Sequence, residues 1–200
     1  VFQRLAPIAK KLELPEDWRT EIKPSDDVGE RPSIDTLGPF RWAPSSATQW
    51  TLVDGQGKKH SLSDYAGKPV IVIFYLGKGC AHCIEQLSAF APEVDRFKQT
   101  GIDLIAISTD HVGGLLETFQ LNQNRPFPFP LLSDASLEVF KQYRAYDDFE
   151  KQPLHGTFLI DRAGLVRWQD ISYEPFEEVE FLLNESKRLL AQDPPQVTKR

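Results

Sequence analysis

Apolar residues occupy every position from Val70 to Tyr75, the signature of a strand buried on both faces. The chain around it alternates and punctuates. Gln49 to Val53 and Lys58 to Leu62 flank Asp54-Gly55-Gln56-Gly57, a hairpin whose glycines suit positive φ. Ser63 to Pro69 reads as a turn that launches the buried strand. Beyond it, Ile84, Leu87, Phe90, Val94 and Phe97 recur at helical spacing up to about Thr100, with Pro92 predicting a kink. A strand Ile102 to Ser108, a helix around Leu115 to Asn122, a short strand near Phe129 to Leu132 and a helix Leu137 to Tyr143 come next. The chain closes with a hairpin, Thr157 to Ile160 and Leu165 to Trp168, turning on Asp161-Arg162-Ala163-Gly164. A last helix carries Phe176, Val179, Phe181, Leu182, Leu183 and Leu189. This order predicts an α/β fold, a central mixed sheet sandwiched between helices.

Residues 1–40 read differently. Phe2, Leu5, Ile8, Ala9 and Leu12 share one helical face, and Pro7, Pro15, Pro24, Pro32 and Pro39 break the rest of this stretch into extended pieces. We expect an N-terminal extension over 1–40 (a short helix and a proline-rich linker), one domain over 41–193 and a flexible tail over 194–200. The extension either contacts a preceding domain or second subunit, or packs on its own domain. Beginning at Val1 and lacking Met, the chain reads as part of something longer, with a possible preceding domain and any targeting segment out of sight.

A net charge of −6 with no Lys/Arg-rich run argues against a nucleic-acid surface. The longest apolar run, Val70 to Leu76, is far too short to span a bilayer, so a soluble chain is expected. Cytoplasmic and extracytoplasmic, including periplasmic, locations both stay open.

The only cysteines, in Cys80-Ala81-His82-Cys83, sit where the buried strand hands over to a helix. Amide N–H groups and the positive end of a helix dipole favour thiolate there, and the two-residue spacer lets one sulfur reach the other. Thiol/disulfide exchange is the expected chemistry. The bland alternative is a pair of buried thiols acting as small hydrophobes. A structural zinc site would need a second Cys or His pair, which the sequence lacks. No cofactor is implied.

Leu62 to Val70, Phe74-Tyr75, Ile107-Ser108-Thr109-Asp110, Phe129 to Asp134 and Thr157-Phe158-Leu159-Ile160-Asp161 resemble the alkyl hydroperoxide reductase and thiol-specific antioxidant family, the peroxiredoxins, over roughly Phe40 to Leu190. The resemblance implies a thioredoxin-like fold. It also brings departures. In the register of the family's Pro-x-x-x-Thr-x-x-Cys loop, Leu76 replaces the Pro, Cys80 replaces the Thr, and Cys83 takes the peroxide-attacking position. The family's Arg falls at or near His155. Thioredoxin-like disulfide reductases would carry a cis-proline at that same position, and here Pro153 is displaced from it.

Other side chains are candidates to support the pair. His155 is either a partial cation or metal ligand facing the sulfurs, or an ordinary loop histidine. Glu85 and Gln86 suit a first helical turn, with Glu85 also a proton relay, and Lys78 either neutralises a thiolate or is an exposed loop lysine. His82 is expected to point outward. Trp42, Trp50 and Trp168 read as core or strand-face aromatics, and His60 and His111 carry no legible role. The favoured function is a thiol-dependent oxidoreductase exchanging electrons through Cys80 and Cys83. The partner is a dithiol donor or a disulfide or peroxide substrate. One alternative is a thiol peroxidase with Cys83 peroxidatic and Cys80 resolving. Another is a Cu(I)-handling protein using Cys80, Cys83 and His155. The last is an interaction module that keeps the fold.

Overall fold

The structure, a computed structural model, describes residues 44–122 and 125–191, all within the unit Pro44–Arg200. The helix and linker expected over 1–40, Trp42 and the tail over 194–200 lie outside the described residues. The elements are β1 (Thr51–Asp54), β2 (Lys59–Ser61), β3 (Val70–Tyr75), α1 (Ala81–Phe90), α2 (Val94–Gln99), β4 (Asp103–Ser108) and α3 (Val112–Leu121). Then come β5 (Leu131–Ser133), α4 (Glu138–Gln142), β6 (Tyr146–Asp147), β7 (Gln152–Pro153), β8 (His155–Ile160), β9 (Val166–Ser172) and α5 (Val179–Leu190).

One seven-stranded sheet has the order β2-β1-β5-β4-β3-β8-β9. β3, β4 and β5 run parallel, and β8, β9, β1 and β2 add antiparallel partners on either side. This is the mixed sheet that the pattern of strands and helices predicts.

β3 shows why an unbroken apolar run belongs at the centre. Ile71, Ile73 and Tyr75 face the core formed with α1, α2 and α5, while Val70, Val72 and Phe74 face the core that holds Val139, Phe140 and Tyr143. Burying each such side chain contributes roughly 1.5–3 kcal/mol, so a charge on either face would disrupt the sheet. Phe74 is anchored edge-on to Phe140, with ring centroids 5.0 Å apart. Pro92 acts as expected: it sits in a 3₁₀ turn, Ala91–Glu93, that separates α1 from α2.

The sequence pattern missed the two-residue strands β6 and β7, which form a separate small ribbon in register Tyr146↔Pro153. Strands this short carry no readable alternation. β5 begins at Leu131, later than the Phe129 expected; Phe127 and Phe129 instead pack in the α1-side core. No helix among the described residues is long and apolar enough to cross a membrane.

Candidate active site at the Cys80–Cys83 disulfide

β3 ends at Tyr75, and the chain must turn into α1 within five residues. Gly77 makes this possible. Its φ of +89° is one that side chains resist, and a Cβ there would lie 2.7 Å from the Asp110 carboxylate. Asp110 Oδ2 accepts the Lys78 N–H at 2.7 Å, and Thr109 Oγ1 donates to the Leu76 carbonyl at 3.0 Å, so the loop is pinned to the end of β4. Cys80 then caps α1, its sulfur accepting the Cys83 N–H at 3.1 Å. The cap places both sulfurs at the positive end of the helix.

Cys80 and Cys83 form a disulfide. The two sulfurs differ in access: Cys80 is half-buried, and Cys83 is fully buried in the core. The Leu76 N–H points at Cys83 Sγ from 3.3 Å. His155, the first residue of β8, faces the pair from across the sheet, with Nε2 3.2 Å from Cys83 Sγ and 3.5 Å from Cys80 Sγ. Antiparallel pairing of β8 with β3, Phe74 opposite Gly156, sets that approach. Gly156 has no room for a side chain, since a Cβ would meet Phe158 at 2.8 Å.

His155 is buried, and burial holds its imidazole below its ordinary value, which favours the uncharged ring. The backbone of Tyr173 and Ser172 and the Glu174 carboxylate pull the other way, although Nδ1 completes no hydrogen bond of good geometry among the described residues. The three donor atoms of Cys80, Cys83 and His155 lie within 4.8 Å of one another. Behind them, Gln86 is buried one turn along α1. Its Nε2 donates to the Phe176 carbonyl at 2.9 Å and to Thr157 Oγ1 at 3.4 Å, tying the helix to β8.

The structure brings Cys80, Cys83 and His155 together. Lys78 Nζ is paired with Glu117 on α3. Glu85 is exposed on the outer face of α1. His82 points outward as expected and pairs with Glu174 at 3.3 Å. Trp50 is a core residue, and Trp168 packs edge-on to Phe176. His111 caps α3 through Gly114 N–H, and His60 pairs with Asp54 at 2.9 Å.

Sequence reasoning placed Gln86 only as a first-turn residue and gave Asp110 no role. Gln86 follows Cys83 by three residues on the same helical face, a signal that was available; Asp110 is placed only by long-range packing. A groove of about 570 Å³ between α3 and the Pro126–Leu131 segment includes none of the three site residues.

A family model described as the AhpC/TSA family matches residues 44–169. The chloroplastic peroxiredoxin Q of Oryza sativa subsp. japonica is 34% identical over 125 residues, covering 62% of this chain and 56% of that protein. Its counterpart in Suaeda salsa is 37% identical over 119 residues, covering 59% and 54%. A protein of Echinococcus granulosus named thioredoxin peroxidase is 34% identical over 128 residues, covering 61% of this chain and 65% of its own. The chain thus spans a little over half the length of the peroxiredoxin Q relatives it matches. Among solved structures, the peroxidoxin BcpB of Mycobacterium tuberculosis superposes with a TM-score of 0.64 at 22% identity, over 76% of this chain and 97% of its own. The reduced 2-Cys peroxiredoxin of Plasmodium vivax gives 0.63 at 21%, over 74% and 95%. These likenesses show the fold, a thioredoxin-like one.

Proposed function

The chain belongs to the AhpC/TSA family, and from that premise we propose that it is a thiol-dependent oxidoreductase cycling Cys80 and Cys83 between dithiol and disulfide. The observation that carries this reading is the asymmetric disulfide at a helix N-terminus, one sulfur half-exposed and one buried, with an imidazole nitrogen 3.5 and 3.2 Å from them.

In the reductive half, a donor thiolate attacks Cys80 Sγ. The S–S electron pair passes to Cys83 Sγ, where the Leu76 N–H and the helix N-terminus oppose the developing negative charge. His155 supplies or accepts the proton that Cys83 exchanges. The donor's second thiol then attacks its own sulfur in the mixed disulfide. Cys80 is released, and the donor leaves as a disulfide, having given two electrons and two protons. A disulfide substrate is reduced by the reverse exchange.

With a peroxide, Cys83 thiolate attacks oxygen, the O–O bond breaks, and a sulfenic acid forms with release of water or an alcohol. Cys80 then attacks the sulfenic sulfur and expels water, restoring the disulfide. That half is slow here. The resemblance puts the family's arginine at or near His155, and a buried ring whose charge is disfavoured by burial is a poor stand-in. Losing one oriented donor at a developing oxyanion costs about 100- to 1000-fold. Mass-tagged alkylation before and after reduction should reveal two thiols appearing together in a monomeric chain, and stopped-flow mixing with hydrogen peroxide should consume them. A covalent dimer as the main oxidised form would refute the reading.

Two sulfur donors and one imidazole within 4.8 Å also favour a second reading, Cu(I) held by the reduced chain through Cys80, Cys83 and His155. One Cu(I) bound per reduced chain, and weaker binding in His155→Leu, would support it.

A further inference from the structure

The β6–β7 ribbon does nothing for the core, yet it is built firmly. Asp147 Oδ1 accepts the N–H groups of Phe149 and Glu150 at 2.8 and 3.0 Å, and Lys151 at φ +59° completes the turn. The product of this construction is Phe149, a large apolar side chain left 92% exposed at the tip. A single exposed aromatic is ordinary by itself; Phe149 gains meaning from what its ribbon is fastened to.

A continuous run of contacts joins that tip to the sulfurs. Asp147 Oδ2 accepts the Tyr173 hydroxyl at 2.8 Å, which fastens the ribbon to the end of β9. Tyr173 is itself 58% exposed. The next residue, Glu174, pairs with His82, which lies between the two cysteines in α1. Ser172 is the β9 partner of His155. Phe149, Tyr173, Glu174 and His82 therefore form one rim leading to the half-exposed Cys80. The rim is acidic: it carries Asp147, Asp148, Glu150 and Glu174 against Lys151 in the turn and Lys141, whose Nζ lies 4.9 Å from the centre of the Tyr146 ring.

We propose that this rim is the docking surface for a protein dithiol donor, one whose reactive sulfur is ringed by apolar and cationic side chains. The inference rests on the reading of Cys80–Cys83 as a cycling disulfide and adds the seat at which its donor docks. A small thiol needs no such surface, since Cys80 alone is enough for it. A protein donor does need one, because its sulfur must be held in line with the Cys80–Cys83 bond. Phe149 supplies apolar area at low conformational cost, and the carboxylates steer a cationic face toward it.

The test compares two reductants on the full oxidised chain: dithiothreitol, and a thioredoxin with lysine directly after its dithiol motif. Phe149→Ser is expected to raise the KM for thioredoxin by about ten-fold, the scale of a modest interface anchor, while leaving the rate with dithiothreitol unchanged. Asp148→Lys combined with Glu150→Lys should raise the same KM and flatten its dependence on ionic strength. Phe149→Ser with an unaltered thioredoxin KM overturns the proposal, as does equal slowing with both reductants. A wild-type disulfide reduced by dithiothreitol but not by thioredoxin also overturns it and leaves the redox reading standing. A disulfide that neither reductant opens removes both.

Discussion

Replacing His155 with leucine should make the disulfide harder to reduce. In the oxidised chain the ring faces two sulfurs that carry neither a proton nor a charge, from 3.2 and 3.5 Å. After reduction the same nitrogen hydrogen-bonds a thiol or thiolate, so it stabilises the reduced state selectively. A hydrogen bond involving a charged group contributes about 1.5–3 kcal/mol. For a two-electron couple, about 1.4 kcal/mol corresponds to about 30 mV, so the potential of His155→Leu should fall by roughly 30–65 mV. Leucine nearly conserves the buried volume and removes Nδ1, a buried atom with no hydrogen-bond partner among the described residues, so the oxidised fold should tolerate it. Equilibration in glutathione buffers, read by mass-tagged alkylation, gives the potential of each protein. An unchanged or raised potential would show that the imidazole favours the disulfide, contrary to the role assigned to it.

The same geometry sets three further expectations. Gly77→Ala should lose roughly 2–4 kcal/mol from the positive-φ cost and a disturbed Asp110 to Lys78 hydrogen bond; urea unfolding should show a lower midpoint at unchanged m, and a midpoint equal to wild type would refute it. Burial depresses the His155 pKa in the fold, so the unfolded chain takes up the proton first as pH falls. The stability linked to this group is therefore complete above about pH 6.5, its ordinary value, and declines below it; on acidification the urea midpoint of wild type should fall relative to that of His155→Leu, and a constant difference would contradict this. Lys78→Ala should leave dithiothreitol reduction within about two-fold of wild type, because Nζ is held by Glu117; a larger loss of rate would restore Lys78 as a cation of the site.

Where local chemistry decided the structure, the sequence was readable. The unbroken run Val70 to Tyr75 could only be a doubly buried strand, Pro92 could only interrupt its helix, and the cysteine pair between them had to fall at the helix start. The Asp161–Gly164 turn was equally plain, with Asp161 Oδ1 accepting the Ala163 and Leu165 N–H groups. What stayed hidden depends on contacts between distant positions. Asp110 meets the Lys78 N–H across 32 residues of sequence, and nothing near either one announces it. Gln86 read only as a first-turn helix residue because its partners, Phe176 and Thr157, arrive from the far end of the chain. His155 was ambiguous for the same reason: only the pairing of β8 with β3 turns a loop-like His-Gly into a group facing two sulfurs. Lys78 beside the cysteines suggested proximity, but α3 supplied a carboxylate for it.

The central claim, that Cys80 receives the donor and Cys83 leaves, is tested most directly by trapping the mixed disulfide. A thioredoxin whose second cysteine is serine, activated as a mixed disulfide with thionitrobenzoate, is offered to reduced Cys80→Ser and Cys83→Ser chains, and the covalent adducts are identified by mass spectrometry. Rapid adduct formation is predicted with Cys83→Ser, through the half-exposed Cys80, and little with Cys80→Ser, whose remaining sulfur is buried. A dominant adduct at Cys83 would contradict the claim.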